Sequence, residues 1–247
     1  MRTAVNYALE ISRRLFLKII GGIMLMESVS SSQAGVFIRK LPVRIVENKS
    51  FKFDAGSGLI EWQEGKREEY KLLVDGLVKD PRTFSYADIR SFPRAEQVSD
   101  LHCVEGWSVP DLKWGGFRFG AILDKIKPNP NATHVLFHSL GTTESTPKGQ
   151  THYIESFPLS ELLDPDREIL LALTLDEKLL PEDNGGPLRL VAPYDLAYKS
   201  IKFVSRIEFV KDQRPGWWTL ANPIYPMVAR VPRNRLRIKK NQPSPPQ

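Results

Sequence analysis

The residues with the greatest chemical capacity lie in one run, LHCVEGWSVPDLKWGG, between Leu101 and Gly116. It contains Cys103, the only cysteine of the chain, with a histidine and an acid beside it. A thiolate is a nucleophile and a soft metal ligand, but a lone cysteine forms neither an intramolecular disulfide nor a cysteine-rich zinc site. Three interpretations are open: a buried structural thiol, a catalytic nucleophile, or the one protein bond to a metal held mostly by another group. Residue type alone favours the first, because cysteines outside disulfides are often buried.

A second block, PEDNGGPLRLVAPYDLAYKSIK, runs from Pro181 to Lys202. Its glycines let the backbone approach a ligand closely, and its asparagine offers both hydrogen-bond donors and acceptors. Its basic side chains can form charge-assisted bonds to phosphate. On the residues alone, a glycine turn with two exposed basic side chains explains the block equally well.

The motif CVEGWS followed by WGG resembles the cysteine-loop signature of the sulfite-oxidase-type molybdopterin-binding domain family. Within it the chain is most similar to the catalytic subunits of periplasmic protein-methionine-sulfoxide reductases and their shorter relatives, and the likeness extends from about Tyr70 to about Pro226. The second block is similar to the family's segment LP..NGAPLRL..P..YG.KSIK. The resemblance implies that the Cys103 sulfur is the one protein ligand of molybdenum, the dithiolene of molybdopterin and oxo or hydroxo groups being the others.

The resemblance also implies which residues bind the cofactor. Ser139 ends a predicted strand, HVLFHS, at the position of a hydroxyl-bearing cofactor contact, although a strand-end cap is an equally good explanation without the resemblance. The residues at positions that contact the pterin and its terminal phosphate are Asn184, Arg189 and Lys199, with backbone amides around Ala197 and Tyr198. Ala197 stands where relatives have glycine. The cofactor contact that relatives place within residues 35–69 has no match here.

His134 and His152 have no ligands at metal spacing, and structural roles are favoured for them. His138, next to Ser139, is the one that can approach the site.

The elements that position these residues are short. Ser85 is a plausible N-cap for a helix ending at Arg90, and alternation over 201–210 predicts a half-buried strand. Short helices among many strands, without regular βαβ alternation, agree with the resemblance. We therefore expect an α+β molybdopterin-binding domain with mixed sheets and short helices over residues 70–230, and an N-terminal extension over 35–69.

The two ends have distinct compositions. Ser12 to Lys18, SRRLFLK, fits the twin-arginine export pattern, and the apolar stretch from Ile19 to Met26 is too short to span a bilayer comfortably. Residues 1–34 are therefore predicted to be a signal peptide for export of the folded protein to the periplasm, with membrane association if the signal is uncleaved.

The net charge is +6, and basic residues crowd the end of the chain. Residues 231–247 are predicted to be a disordered basic tail. No nucleic-acid partner is expected, because no recognised binding module is present.

The family's chemistry is oxygen-atom transfer at molybdenum, which cycles between the VI and IV states. One cysteine cannot attach a c-type haem, and we expect no segment for a cytochrome domain, so electrons pass through a partner. The resemblance suggests a membrane haem-type electron-transfer subunit or another periplasmic redox protein. Sulfite-oxidising members carry arginines shortly after the cysteine, whereas Cys103 is followed by Val104, Glu105, Gly106 and Trp107.

If Glu105 faces the site, it repels sulfite. Reduction of a sulfoxide, such as methionine sulfoxide in damaged proteins, is therefore the predicted activity. Sulfite dehydrogenase is the alternative on the same fold. A cofactor-free periplasmic binding protein that kept the scaffold is the alternative of another class.

Overall fold

The computed structural model describes residues 36–38, 40–43, 46–48 and 50–237. The predicted signal peptide and the part of the predicted tail beyond residue 237 lie outside these residues. Within them the strands are β1 (Val36–Phe37), β2 (Phe51–Asp54), β3 (Leu59–Trp62), β4 (Arg67–Glu69), β5 (Lys71–Gly76), β6 (Arg82–Ser85), β7 (Arg94–His102), β8 (Trp107–Phe117), β9 (His134–Ser139), β10 (Ile154–Pro158), β11 (Leu170–Leu175), β12 (Lys178–Leu179), β13 (Arg189–Val191) and β14 (Val204–Val210). The α-helices in the same ranges are α1 (Tyr86–Arg90), α2 (Gly120–Ile126), α3 (Leu159–Leu163) and α4 (Trp217–Ala221). The α+β prediction of mixed sheets with short helices is confirmed.

The larger core lies on a five-stranded sheet with the order β10-β9-β14-β5-β6. Strand β14 runs parallel to β5 and antiparallel to β9. Its apolar residues Ile207 and Phe209 are fully buried, and they pack in one cluster with Ile122 and Ile126 of α2. Because successive side chains alternate across a strand, the same sheet directs its other residues to the opposite face.

A second sheet carries Cys103. Strands β7 and β8 form a long antiparallel hairpin, and β8 also pairs with β1 and β11. The smaller hydrophobic cluster lies on this sheet and includes Leu101, Val109 and Trp114.

The N-terminal extension is part of the same domain. Strands β2, β3 and β4 form a three-stranded sheet. The Phe51 ring lies 5.4 Å from that of Phe203, and the Phe53 ring 5.1 Å from that of Tyr86, so aromatic packing joins this sheet to the larger core. In the described ranges no helix has the length and apolarity needed to cross a membrane.

The helix predicted after Ser85 is confirmed as α1. Ser85 Oγ accepts a hydrogen bond from Asp88 N (3.1 Å), and Asp88 Oδ2 accepts one from Ser85 N (2.8 Å). This reciprocal pair satisfies two amides at the start of the helix, which is why so short a segment forms one.

Candidate functional site

Cys103 lies at the tip of the β7–β8 hairpin. Cys103 N donates a hydrogen bond to Trp107 O (2.9 Å), and Gly106 N donates one to Cys103 O (3.2 Å), which closes the loop over residues 103–106. Gly106 has φ +96°, a conformation that costs glycine little and other residues more. The tight loop fixes Cys103, whose relative exposure is 9%.

An acid faces the thiol. Glu105 Oε2 lies 3.8 Å from Cys103 Sγ, and the same oxygen accepts a 2.9 Å hydrogen bond from the indole Nε1 of Trp107. The indole therefore holds the carboxylate beside the sulfur. Glu105 therefore faces the site, which is the condition under which it is expected to repel sulfite.

Tyr225 lies near Glu105 and Cys103. Its ring lies 5.5 Å from that of Tyr198 and 4.9 Å from that of Trp218. Burial raises the pKa of Tyr225, and the nearby Glu105 and Cys103 raise it further, so its hydroxyl keeps its proton at neutral pH.

Arg189 is a buried cation of the second block. Its Nη1 donates a 3.0 Å hydrogen bond to the backbone oxygen of Asn184, and its Cζ lies 5.4 Å from the ring centre of Trp114. Burial lowers the pKa of Arg189 to about 10, while Glu47 and Tyr153 oppose the shift. Arg189 therefore remains positively charged at neutral pH.

Ser139 and the turn around Tyr198 are joined through Tyr153. Ser139 Oγ accepts a 3.1 Å hydrogen bond from Tyr153 N, and Tyr153 Oη donates a 2.6 Å bond to the backbone oxygen of Tyr198. Ala197 starts the 3₁₀ turn Ala197–Lys199, and both Ala197 and Trp107 pack against the smaller hydrophobic cluster. These contacts, together with the Tyr198–Tyr225 ring contact, connect the predicted cofactor residues to the surroundings of Cys103.

Residues 60–218 match the family described as the oxidoreductase molybdopterin-binding domain. This match covers well over half of the chain. The chain belongs to this family.

Two similar proteins are named protein-methionine-sulfoxide reductase catalytic subunits. The one from Ralstonia nicotianae is 34% identical over 159 residues, which are 62% of this chain and 47% of that protein. The one from Campylobacter jejuni is 29% identical over 227 residues, 83% of this chain and 75% of that protein. This chain thus spans about half the length of the first relative and three quarters of the second.

The fold also matches a solved structure. The crystal structure of the sulfane dehydrogenase SoxCD from Paracoccus pantotrophus superposes with a TM-score of 0.51 at 17% identity, covering 79% of this chain and 59% of that one. At this identity the likeness supports the fold alone.

The cofactor of the family is molybdopterin, and the buried polar atoms around Arg189 fit it. Arg189 Nε and Trp114 Nε1 are buried donors, and within the described residues neither has a hydrogen-bond partner. Buried donors are normally paired, and a pterin with its phosphate is rich in acceptors. Asn184 and Arg189 are therefore suited to bind the group, and their roles, with those of Ser139, Ala197 and Tyr198, stay predictions.

Lys199 is paired inside the protein, and its contact with the phosphate stays a prediction. Its Nζ lies 2.7 Å from Glu155 Oε2 and 2.8 Å from the carbonyl oxygen of Ser156, and the residue is buried. An ammonium withdrawn from water needs such a carboxylate partner, which explains the inward position.

Lys202 and Glu47 also lie near Arg189, and neither was predicted from the sequence to belong to the site. A Cβ built on Gly185 would lie 2.9 Å from Lys202 Cγ and 3.3 Å from Arg189 Cβ, so Lys202 is the lysine of KSIK that shares this region. Buried Glu47 lies near both cations: burial raises its pKa, and Lys202 and Arg189 act in the opposite direction. The paired lysines of KSIK were the available signal for Lys202, whereas nothing in the sequence around Glu47 singled it out.

The start of the predicted disordered tail also differs from the expectation. Residues 231–237 are described, and Arg235 is buried against the Cys103 hairpin. Arg237 Nε donates a 2.7 Å hydrogen bond to Asp100 Oδ2, and its Nη2 pairs with Asp111 Oδ1 at 2.6 Å. Acidic groups on the hairpin thus order basic residues that the composition alone assigned to solvent.

His138, the histidine next to Ser139, is paired with His152 and Glu208. His138 Nδ1 lies 2.8 Å from His152 Nε2, and His138 Nε2 lies 3.1 Å from Glu208 Oε2. Strand alternation places His138 on the face of β9 opposite to Ser139. Among the described residues no three of His, Cys, Asp and Glu form a cluster that could hold a metal ion.

Proposed function

We propose that this chain is the catalytic part of a molybdenum reductase that removes the oxygen atom from a sulfoxide, such as methionine sulfoxide in oxidised proteins. Membership of the molybdopterin family makes the chain an oxidoreductase. The names of the two sulfoxide-reductase relatives support the substrate class. The half-reaction converts a sulfoxide, two protons and two electrons into a sulfide and water.

The observation that carries the choice of substrate is the 3.8 Å distance between Glu105 Oε2 and Cys103 Sγ. A carboxylate this close to the metal-binding position repels an anion such as sulfite. A sulfoxide is neutral, so it meets no such barrier. Trp107 and Tyr225 add aromatic surfaces on which its carbon substituents can pack.

The chain's own residues have distinct parts in this proposal. Cys103 Sγ would hold the metal, while Asn184, Arg189 and Lys199 would bind the pterin and its phosphate, with Lys202 as a further cation beside Arg189. When bound, the cofactor supplies two-electron oxygen-atom-transfer chemistry. Tyr225 keeps its proton, so its hydroxyl can donate a hydrogen bond to the sulfoxide oxygen.

Electron supply and location belong to the same proposal. Both relatives are named catalytic subunits, which implies a second subunit, and we propose a membrane haem-type protein as the electron donor of this chain. The twin-arginine motif SRRLFLK supports a periplasmic location after export of the folded protein.

The test is oxidation of reduced viologen by the purified, molybdenum-loaded chain with methionine sulfoxide as substrate. Turnover that disappears in Cys103→Ser is expected. The control is Ser91→Ala, a change at the exposed end of α1 that should leave turnover intact. Absence of turnover from protein shown to contain molybdenum would refute the proposal. Turnover with sulfite and an artificial acceptor would then support the sulfite dehydrogenase, and failure to bind molybdenum at all would support the cofactor-free binding protein.

A further inference from the structure

The chain beyond residue 218, where the family match ends, returns to contact the cysteine hairpin. We call residues 226–237 the C-terminal arm. The arm is fixed near its start, because Leu196 N donates a 2.7 Å hydrogen bond to Ala229 O and Val231 N donates a 3.0 Å bond to Tyr194 O. Arg230 Nη1 adds a 2.6 Å contact to Asp195 Oδ1. The arm therefore leads from the second block of the site to the first.

Arg235 ends this path on the Cys103 loop. Its Nη1 donates a 2.9 Å hydrogen bond to Cys103 O, and its Nη2 donates a 2.8 Å bond to Trp107 O and a 3.2 Å bond to Ser108 Oγ. Cys103 and Trp107 are the two residues that flank the turn, so one guanidinium spans its base. Arg235 is 9% exposed, which removes most competition from water.

The planar fork of arginine suits this geometry in a way that lysine does not. Two fixed N–H groups meet two carbonyl oxygens at once, whereas an ammonium on a flexible stem acts as a single point charge. The fork thus restrains the Cys103 backbone in position and in rotation.

We infer that Arg235 is a positioning residue, which fixes the Cys103 sulfur relative to the molybdenum cofactor by holding the carbonyl oxygens of Cys103 and Trp107. This inference rests on the proposed role of Cys103 as the metal ligand. Hydrogen-bonded partners just outside a metal's ligand shell commonly orient the ligand in this way.

Arg237 lies in the same arm and allows an effect on the position of Cys103 to be distinguished from an effect on the stability of the protein. Its carboxylate partners Asp100 and Asp111 lie on β7 and β8, and within the described residues its guanidinium hydrogen-bonds to these two acids and not to the 103–106 loop. Loss of Arg237 should therefore loosen the arm and lower the melting temperature without altering the geometry of Cys103. Arg233 is exposed in the same 3₁₀ turn as Arg235 and serves as the charge-matched control.

The experiment compares Arg235→Lys, Arg235→Gln, Arg237→Gln and Arg233→Gln in the full-length holoenzyme. The readouts are molybdenum content, the Mo(V) electron paramagnetic resonance spectrum, kcat and KM, and the melting temperature. Both Arg235 variants should show a changed Mo(V) spectrum and a loss of kcat or metal retention of about 10- to 100-fold, with KM within about twofold of wild type. Arg237→Gln should lower the melting temperature and keep the wild-type spectrum, and Arg233→Gln should change neither.

A wild-type Mo(V) spectrum and kcat in both Arg235 variants would overturn the inference. If Arg235→Gln does not fold, Arg235→Lys decides by the same readouts. Restoration of the spectrum by lysine would show that charge alone matters, which also contradicts positioning by the fork. Because the spectrum requires no substrate, it separates this inference from the proposed activity. A Cys103→Ser protein with an unaltered spectrum would instead refute Cys103 as the ligand.

Discussion

The carboxylate of Glu105, 3.8 Å from Cys103 Sγ, is expected to determine which small substrates approach Cys103. A like charge at such a distance from an anion costs on the order of 1 to 4 kcal/mol, depending on local screening. Glu105→Gln keeps the size and an acceptor for Trp107 Nε1 while it removes the charge. We expect sulfite oxidation to rise about tenfold or more, because about 1.4 kcal/mol is a factor of ten, while sulfoxide reduction changes little.

Steady-state kinetics with each substrate and an artificial redox dye would measure the Glu105→Gln effect. The matched control is Glu96→Gln, which removes an exposed acid from β7 of the same hairpin. Equal changes in both activities would mean that Glu105 acts on the cofactor or the fold rather than on the substrate's charge.

Residue type at the site was predictable from the sequence, but side-chain direction was not. Lys199 and Lys202 both belong to KSIK, and only the tertiary structure provides Glu155 as a buried partner for the first of them. Arg235 was assigned to a solvated tail because its partners, the carbonyl oxygens of Cys103 and Trp107, lie far away in the sequence. Contacts to backbone atoms leave no compositional signal.

At the scale of elements, the glycines of WGG let two strands approach each other. A Cβ on Gly116 would lie 1.9 Å from the carbonyl oxygen of Leu171 in β11. Gly116→Ala is therefore expected to lower the free energy of unfolding by about 1–3 kcal/mol or more, because the β8–β11 pairing must separate. Denaturant unfolding of the purified variant would measure this loss.

The control for Gly116→Ala is Gly120→Ala at the start of α2, where the nearest atom to a new Cβ is Leu163 Cδ2 at 3.9 Å. Alanine is favoured over glycine in a helix, so this change should be neutral or slightly stabilising. Equal effects at the two glycines would show that the close approach to β11 is not what Gly116 provides.

Sequence patterns predicted an element correctly where hydrogen bonds between neighbouring residues form it. The reciprocal Ser85–Asp88 pair at the start of α1 is an example. The strand predicted over 201–210 begins later, at Val204. Phe203 has φ +56°, and its amide donates a 3.1 Å hydrogen bond to Gly185 O instead of joining the sheet ladder. Alternating apolar residues therefore predicted burial correctly, but a contact to the second block ended the strand early.

The end of the cysteine hairpin next to Cys103 should respond to acid. His102 is buried beside Ser108, with 2.7 Å between Nδ1 and Oγ, and its pKa is lowered from 6.5 to about 4. Burial is the main cause; Asp100 opposes it, and Arg235 and Arg237 add to it. Between pH 6.5 and 4 the unfolded chain binds a proton that the folded chain does not, so stability falls as the pH falls through this window.

By pH 4 the contribution of His102 amounts to a loss of about 3 kcal/mol, from 1.36 kcal/mol per pKa unit. Urea unfolding between pH 7 and 4 would measure it. His102→Asn can keep the bond to Ser108 without a titrating ring, so part of the pH slope should disappear. Ser108→Ala removes the partner but keeps the imidazole, so its slope should persist. A slope unchanged in His102→Asn would contradict the assignment.

At the scale of the whole molecule, the site is assembled from segments that are far apart in the chain. The Cys103 hairpin, the end of β9, the block around Arg189 and the C-terminal arm each contribute residues, and the buried ion pair of Lys199 and Glu155 lies among them. Such a cofactor pocket exists only once the sheets have packed. The cofactor must therefore be bound by a folded or folding protein, which agrees with an export route that carries folded proteins.

Export by the twin-arginine route can be tested with Arg13→Lys/Arg14→Lys in the full chain. These residues lie outside the described part of the structure, so the prediction rests on the motif SRRLFLK alone. Because this route recognises the arginine pair rather than positive charge, the double variant should remain in the cytoplasm as a folded, molybdenum-containing protein. Arg2→Lys, outside the motif, is the matched control. Immunoblots of periplasmic and cytoplasmic fractions, with molybdenum content of each, would measure the outcome. Unchanged periplasmic accumulation of the double variant would reject the signal assignment while leaving the proposed chemistry of Cys103 intact.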